Sequence, residues 1–448
     1  MRVLVLLLAL LPLAARAQSP AGERAARLAQ GINVSWLEQY WLGTPNLAEA
    51  PLWPAEFEKM AYYGFETVRL PIAFDVFADS DAPYTVDPAL WMVLDDIVDA
   101  AMDTGLLLVL DNHHGRMEDT TFEAELPRHV GIVAQMAARY ADTDPDRVLF
   151  ELYNEPHDLS NERWHTFLRA AIDTVRQAAP GHTLVYGGID YNGVEGLLAL
   201  DPTLDDNVIY AVHLYEPLLF THQGAEWLGP AAATTGVPFP YDPDTMPPLA
   251  PEAVGTAAEA LYTAYPEQGT VAYVQGRLAE ATDWAAANTV PLWLGEFGTY
   301  KRYADDDAMG NYATALVEAA ARLGLPWAYW EWRDTFGVHR GDGTLPTRSD
   351  DLIGSLLDAF QFVVIDTEPA IPTQTALTVY PNPTTERVLV EGPRLNRVEI
   401  YDLLGRQHAQ ADGGHAGRLE LVLPDTPGVY VLRIAHADGV TTRRVTRW

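Results

Sequence analysis

From about residue 28 to residue 362, short apolar runs alternate with longer amphipathic stretches. Eight of the runs read as strands: Gly31–Ser35, Thr67–Leu70, Leu106–Asn112, Val148–Asn154, Thr183–Gly187, Val208–His213, Pro291–Glu296 and Trp327–Trp332. Several are apolar almost without interruption, as strands covered on both faces must be. Between them, residues 88–103, 127–140, 163–179, 275–288 and 308–323 carry apolar positions at helical spacing. Such alternation predicts a parallel sheet covered by helices. Eight repeats in this length predict a closed (β/α)₈ TIM barrel rather than an open sheet. No Gly-rich phosphate loop follows any strand, which argues against a nucleotide site.

Two regions break the rhythm. Between His213 and the helical stretch near Gln275 lies a long connection rich in Pro, Gly and aromatics, among them Trp227, Phe239, Tyr241 and Tyr265. It leaves the C-terminal end of the sixth strand, the face where barrel active sites sit, and long loops in compact domains are usually functional. After a Pro/Thr-rich stretch at 367–375, read as a linker, come short alternating runs separated by turn residues: 377–380, 387–391, 397–401, 419–423, 429–434 and 441–446. They predict a small antiparallel β-sandwich over 376–448. At the other end, Met1-Arg2, an apolar run from Val3 to Leu13 and Ala15-Arg16-Ala17 read as a signal peptide cleaved after residue 17, which leaves 18–366 for the barrel. No later segment is long and apolar enough to cross a membrane.

Composition narrows the partners. The chain has 62 acidic residues against 29 basic ones, a net charge of −33, and only two of the basic residues are Lys. So negative a surface repels nucleic acid and anionic lipid and suits a neutral substrate. There is no Cys, so disulfides, thiolate nucleophiles and Cys-based metal sites are excluded.

The strand ends carry the chemistry. They read Arg69-Leu70-Pro71, Asp111-Asn112-His113-His114, Asn154-Glu155-Pro156, His213-Leu214-Tyr215, Gly295-Glu296-Phe297 and Trp330-Glu331-Trp332. In a barrel these ends converge on one mouth. Two carboxylates flanking a glycosidic bond suffice to hydrolyse it, one protonating the leaving oxygen and the other attacking. Glu155 is expected to be the acid/base, its pKa held up by a neighbouring carboxylate and partial burial. Glu296 is expected to be the nucleophile, kept ionised by Arg69 and the Tyr215 hydroxyl. The period-two geometry of strands puts Asp111 with His113, Glu151 with Glu155, and His213 with Tyr215 on common faces. His113 rather than His114 should therefore point inward, and Glu151 should lie one layer deeper as a structural acid. Trp330, at a strand end, is expected to stack on a sugar ring; Trp36 and Trp41 could stack or pack.

This constellation resembles glycoside hydrolase family 5, the cellulase-type members, over roughly residues 28–362. The resemblance implies a retaining mechanism on β-1,4-glucans or related β-glycans, with no cofactor and no metal. It implies that Arg69 supports the nucleophile, His113 and His114 line the substrate site, and Asn154 bonds the sugar 2-hydroxyl. His213 and Tyr215 would flank the glutamates, and Trp330 would form a stacking floor, with Trp36 as a further contact. His339-Arg340 stands where the family pattern would put residues nearer Tyr-Asp, which bears on substrate preference. The tail, with Tyr380-Pro381-Asn382-Pro383, residues 400–406 and Gly428-Val429-Tyr430, resembles the C-terminal sorting domain of type IX secretion substrates. That implies a secreted or surface-anchored protein which meets the secretion machinery, and a monomer is expected. A mannanase, xyloglucanase or lichenase of the same barrel type would use the same mechanism. A metal-dependent hydrolase would place a His-x-His pair on the first strand, which reads Gly31-Ile32-Asn33-Val34-Ser35. A non-catalytic glycan-binding barrel would lack a glutamate or Arg69.

Overall fold

The computed structural model describes residues 19–39, 45, 47–202, 204–341, 351–361, 378–380, 384, 386–402, 406–426, 428–436 and 439–447. The expected signal peptide, the expected 367–375 linker, Trp41 and parts of the tail motifs lie outside them. The chain divides into two compact units, residues 1–363 and 364–448.

The first unit is a closed barrel of eight parallel strands in sequence order: β1 (Gln30–Asn33), β2 (Thr67–Ile72), β3 (Leu107–Asn112), β4 (Val148–Glu151), β5 (Leu184–Tyr186), β6 (Val208–His213), β7 (Leu292–Glu296) and β8 (Trp327–Tyr329). Every expected strand is present. The helices begin and end where local chemistry dictates. Asp87 accepts from the Ala89 N–H ahead of helix Pro88–Thr104, Pro88 opens it, and Gly105 closes it at φ 84°. Asp305 and Gly324 do the same for Asp306–Leu323.

Strand parity sorts the core into two. Val68, Leu70, Leu108, Leu110, Phe150, Tyr210 and Leu294 face outward into one large cluster with the helices. Leu107, Val109, Leu149, Val185, Ile209, Ala211, Trp293 and Ala328 face the lumen, and the N-terminal helix Pro20–Leu28 plugs that cluster with Ala21, Ala25 and Leu28. Continuing the lumen parity toward the C-terminal ends leads from Leu107 and Val109 to Asp111 and His113, and from Leu149 to Glu151. The apolar floor thus grades into a polar mouth.

The connection after β6 is less irregular than its Pro and Gly content predicts. It contains helix Ala257–Gln268, with Pro266 inside, and the helix after it starts at Val271 rather than near Gln275.

Among the described residues the second unit has five antiparallel strands: β9 (Thr378–Tyr380), β10 (Arg387–Asp402), β11 (Gln407–Val422), β12 (Gly428–His436) and β13 (Gly439–Arg447). β10 passes straight through Gly392-Pro393, where turn residues predicted a break between two runs. Its first half pairs with β9 and β11, and its second half with β11 and β12. Register shifts after Glu391 and Leu395 absorb the change. Val388, Val390, Val398, Ile400, Leu432 and Ile434 form its separate core.

Candidate active site

Arg69 organises the mouth. It is wholly buried on β2 and binds five other strand-end residues. Its Nε and Nη2 donate to the two oxygens of Glu151 at 2.7 and 2.9 Å. Nη2 also donates to Asn154 Oδ1 at 2.7 Å and lies 3.0 Å from Asp111 Oδ2. Nη1 donates to Asn33 Oδ1 at 3.1 Å and to Glu296 Oε1 at 2.5 Å. Burial alone would lower the guanidinium pKa, but Asp111, Glu151 and Glu296 outweigh it and drive it up. Asn33 in turn donates to the carbonyls of Gly295 and Tyr329, tying β1 to β7 and β8.

Strict alternation along β7 would turn Glu296 outward, since Trp293 faces the lumen and Leu294 the helices. A register irregularity corrects this. Val212 pairs with Leu294 but His213 pairs with Glu296, leaving Gly295 as the extra residue. A bulge re-aims the side chain that follows it. A Cβ on Gly295 would stand 3.1 Å from His213 Nε2, so a residue without one allows the close approach.

Glu296 Oε2 accepts from the Tyr215 hydroxyl at 2.9 Å. His213 Nδ1 shares a 2.7 Å hydrogen bond with Glu155 Oε1 and lies 3.6 Å from Glu296 Oε2. One oxygen of each glutamate and a ring nitrogen of His213 all fall within 4.8 Å of one another. Glu155 sits at φ 45°, a left-handed conformation disfavoured for a non-glycine residue and often found at functional sites.

The electrostatics separate the two carboxyls only in degree. Burial pushes Glu155 up to about 7, against pulls from Arg69, His157 and His114, with Glu151 adding to the rise. Burial also raises Glu296; His213, Arg69 and the Tyr215 hydroxyl oppose it, and Glu155 reinforces it. The expected partners of Glu296 are in place, yet desolvation outweighs them. For Glu155 burial, more than a neighbouring carboxylate, is the main cause. Burial lowers His213 to about 4, so its imidazole is neutral at neutral pH.

His113 is buried, with Nδ1 at 2.5 Å from Asp111 Oδ2 and Nε2 facing the Asn154 amide at 3.4 Å. Its ring stacks on Trp330 at 5.5 Å and 11°. His114 is only partly buried and turns to Glu38, Nε2 to Oε2 3.2 Å. Arg69, His113, Asn154, Glu155, His213, Tyr215, Glu296 and Trp330 therefore form one contact network, with His114 adjoining it. Trp36 is different. It stacks on Trp53 at 4.9 Å and packs on Phe57, leaving 5% of it exposed, so it is a packed core ring rather than an open stacking face. His339 is likewise buried, its ring 4.7 Å from that of Trp332.

Residues to which the sequence assigned no role complete the mouth. Glu38 and Glu331 are buried acids, both pushed well up by burial and by neighbouring carboxylates. Glu38 follows β1 in an irregular segment where period-two logic does not apply. Tyr191 is 55% exposed, in a run of three left-handed residues (Asp190, Tyr191, Asn192), and stacks on His157 at 4.6 Å and 11°. Its N–H donates to the carbonyl of Pro156, next to Glu155. In the long connection, His222 packs edge-on against Tyr215 and Phe336, and Trp227, 62% exposed, packs on Tyr300. That connection thus folds onto the loops after β7 and β8.

Residues 28–335 match the family model described as cellulase (glycosyl hydrolase family 5), and residues 378–446 match that of the secretion system C-terminal sorting domain. Among curated relatives, the chain is 29% identical to Endoglucanase 3 of Fibrobacter succinogenes over 345 residues, covering 71% of this chain and 52% of that one. It is 30% identical to Endoglucanase C of Acetivibrio thermocellus over 215 residues, covering 45% and 62%. The chain therefore spans between half and two thirds of the length of these relatives. Among solved structures, endoglucanase Cel5A of Thermotoga maritima superposes with a TM-score of 0.62 at 27% identity, over 76% of this chain and 99% of that one. The same enzyme has been solved with mannotriose and with cellobiose. With two thirds of its length under one family model and the strand-end residues of its barrel gathered into one polar mouth, the chain belongs to glycosyl hydrolase family 5, the cellulases.

Proposed function

We propose that the protein is a retaining endo-β-1,4-glucanase in which Glu296 is the nucleophile and Glu155 the acid/base. The observation that carries this reading is the spacing of the two carboxylates, with one oxygen of each within 4.8 Å across His213. Retaining glycosidases hold their carboxyl groups about 5–5.5 Å apart, whereas inverting ones leave about 6.5–9.5 Å for a water.

In the first step a Glu296 oxygen attacks the anomeric carbon as the glycosidic bond breaks, and Glu155 gives its proton to the departing oxygen. In the second, Glu155 takes a proton from water, which displaces Glu296 from the same carbon. The elevated pKa of Glu155 suits a group that must be protonated in one step and ionised in the next. Arg69 and Tyr215 orient Glu296, Asn154 faces the sugar 2-hydroxyl, and Trp330 backed by His113 offers a ring for stacking. Tyr191, beside Glu155, is on the leaving-group side.

A mannan-active reading has one observation in its favour, the mannotriose complex of the Thermotoga maritima relative. The tail supports export by a type IX secretion system to the medium or the cell surface. Reducing-sugar release from carboxymethylcellulose, barley β-glucan, glucomannan, xyloglucan and xylan tests the substrate. The expected result is release from the glucans that disappears in Glu296→Ala. A preference for glucomannan favours the second reading, and a folded protein inactive on all five contradicts the enzyme reading.

A further inference from the structure

One group at the mouth has no part in the two-step reaction. Glu38 is 3% exposed, and among the described residues no Lys or Arg forms an ion pair with it. Its Oε2 lies 3.2 Å from His114 Nε2, and Glu38, His113 and His114 each offer a ligand atom within 4.8 Å of the others. Behind the set, His113 keeps Nδ1 on Asp111 at 2.5 Å, and its Nε2 makes only the long 3.4 Å contact with the Asn154 amide, which a bound ion would replace. A carboxylate on the far nitrogen is what orients a metal-binding imidazole. His114, whose side chain is 23% exposed, opens the set to solvent.

The local charge points the same way. Arg69 is surrounded by Asp111, Glu151 and Glu296 and has no charge to spare. Glu331, 2% exposed, has one carboxylate oxygen without a hydrogen-bond partner among the described residues. A buried carboxylate is costly unless a cation or hydrogen bonds compensate it. Two imidazoles and one carboxylate with an open position form the donor set that Zn²⁺ takes in His₂Glu sites. Mg²⁺ and Ca²⁺ prefer oxygen ligands.

We propose that Glu38, His113 and His114 form a binding site for a transition-metal dication of the Zn²⁺ or Co²⁺ type, and that the bound ion blocks the substrate cleft. The ion is an inhibitor and takes no part in catalysis. Only the inhibition rests on the glycosidase reading; the binding site stands on the donor geometry. In the alternative trio, Glu155, His213 and Glu296, the place of a cation is already taken by Arg69, which pairs with Glu296, and Glu296 also accepts from Tyr215.

The test is calorimetric titration of the EDTA-treated, dialysed full-length protein with ZnCl₂ alone. The expected result is one Zn²⁺ per chain, lost in Glu38→Gln and in His114→Ala and retained in Glu155→Gln, with circular dichroism reporting the fold of each variant. Absence of binding overturns the site, as does binding that survives both substitutions or is lost only in Glu155→Gln. A measurement that needs no variant is the visible spectrum of the Co²⁺ complex. Intense bands of a four-coordinate nitrogen–oxygen site, abolished by Zn²⁺, are expected, and the weak spectrum of an octahedral aqua ion overturns the proposal. On an aryl β-cellobioside, Zn²⁺ should raise KM with kcat unchanged, and EDTA should reverse it; a fall in kcat at constant KM overturns the blocking role. If the protein hydrolyses no glycan, the glycosidase reading fails while the ZnCl₂ titration still decides the metal site.

Discussion

The barrel unit and the tail unit are both apolar-cored, yet they place their charges in opposite ways. Residues 364–448 hold nine Arg and no Lys against ten acids, a net of −1, so −32 of the total −33 belongs to residues 1–363. In the barrel, Arg69, Asp111, Glu151 and Glu296 meet almost without solvent. In the tail, Arg387 pairs with Glu420 and Arg397 with Asp412 on exposed strand faces, and both partners of each pair stay half exposed or more. Buried, crowded charge has to be compensated by partners, protons or a ligand, and this is the arrangement that shifts pKa values and does chemistry. Exposed pairs are screened and contribute little.

Cutting one partner out of each kind of pair should give the widest separation. Arg69→Met leaves three acids buried without their cation, and about 3–5 kcal/mol of stability should be lost in urea unfolding, along with all hydrolysis. Arg387→Met should leave the urea midpoint unchanged within error. A similar loss at both positions would dissolve the distinction. Next in size is the effect of removing the tail. A chain ending at residue 363 should keep its kcat/KM on soluble glucan, because every group assigned to the reaction lies in the barrel; a large fall would mean that the tail contributes to the site.

The pH dependence follows from Glu155. With a pKa raised to about 7, it is protonated below that value and charged above it, so kcat/KM should fall as pH rises through about 7. The same shift has a stability consequence. The folded state favours the neutral carboxyl, so the contribution is fully present below the unfolded pKa of about 4.3 and is lost as pH rises through about 7. Melting of Glu155→Gln, which cannot ionise, should therefore gain on the parent between pH 5 and 8, and parallel curves would contradict the shift.

Smaller still is the expected effect of Tyr191→Ala. Loss of one stacking ring should lower kcat/KM on β-glucan by about tenfold or less, and leave an aryl β-cellobioside, whose leaving group needs no sugar contact, nearly unaffected. An equal loss on both substrates would assign Tyr191 a structural part. Least of all, added salt should raise the melting temperature of the isolated barrel slightly, because it screens self-repulsion among net charges.

The barrel was legible because its strands are apolar on both faces, and parity alone placed Asp111, His113 and Glu151 correctly in the mouth. Glu296 is a case where the strand end was found but parity would have misplaced it. The Gly295 bulge that turns it inward is visible only in the pairing of β6 with β7. In sequence Trp36 could stack on a sugar or pack in the core, and only the packing of Trp53 and Phe57 against it decides for the core. Glu38 and the Tyr191–His157 stack lie in irregular backbone with no period to follow. In the tail, Gly392-Pro393 suggested a turn, whereas long-range pairing with β11 carries β10 through it.

The central assignment, nucleophile against acid/base, is tested most directly by incubating the protein with 2,4-dinitrophenyl 2-deoxy-2-fluoro-β-cellobioside, which traps a covalent glycosyl-enzyme, and mapping the adduct by peptide mass spectrometry. The expected result is a single fluorocellobiosyl group on Glu296. An adduct on Glu155, or turnover of aryl β-cellobioside by a Glu296→Ala variant at the parental rate, would contradict it.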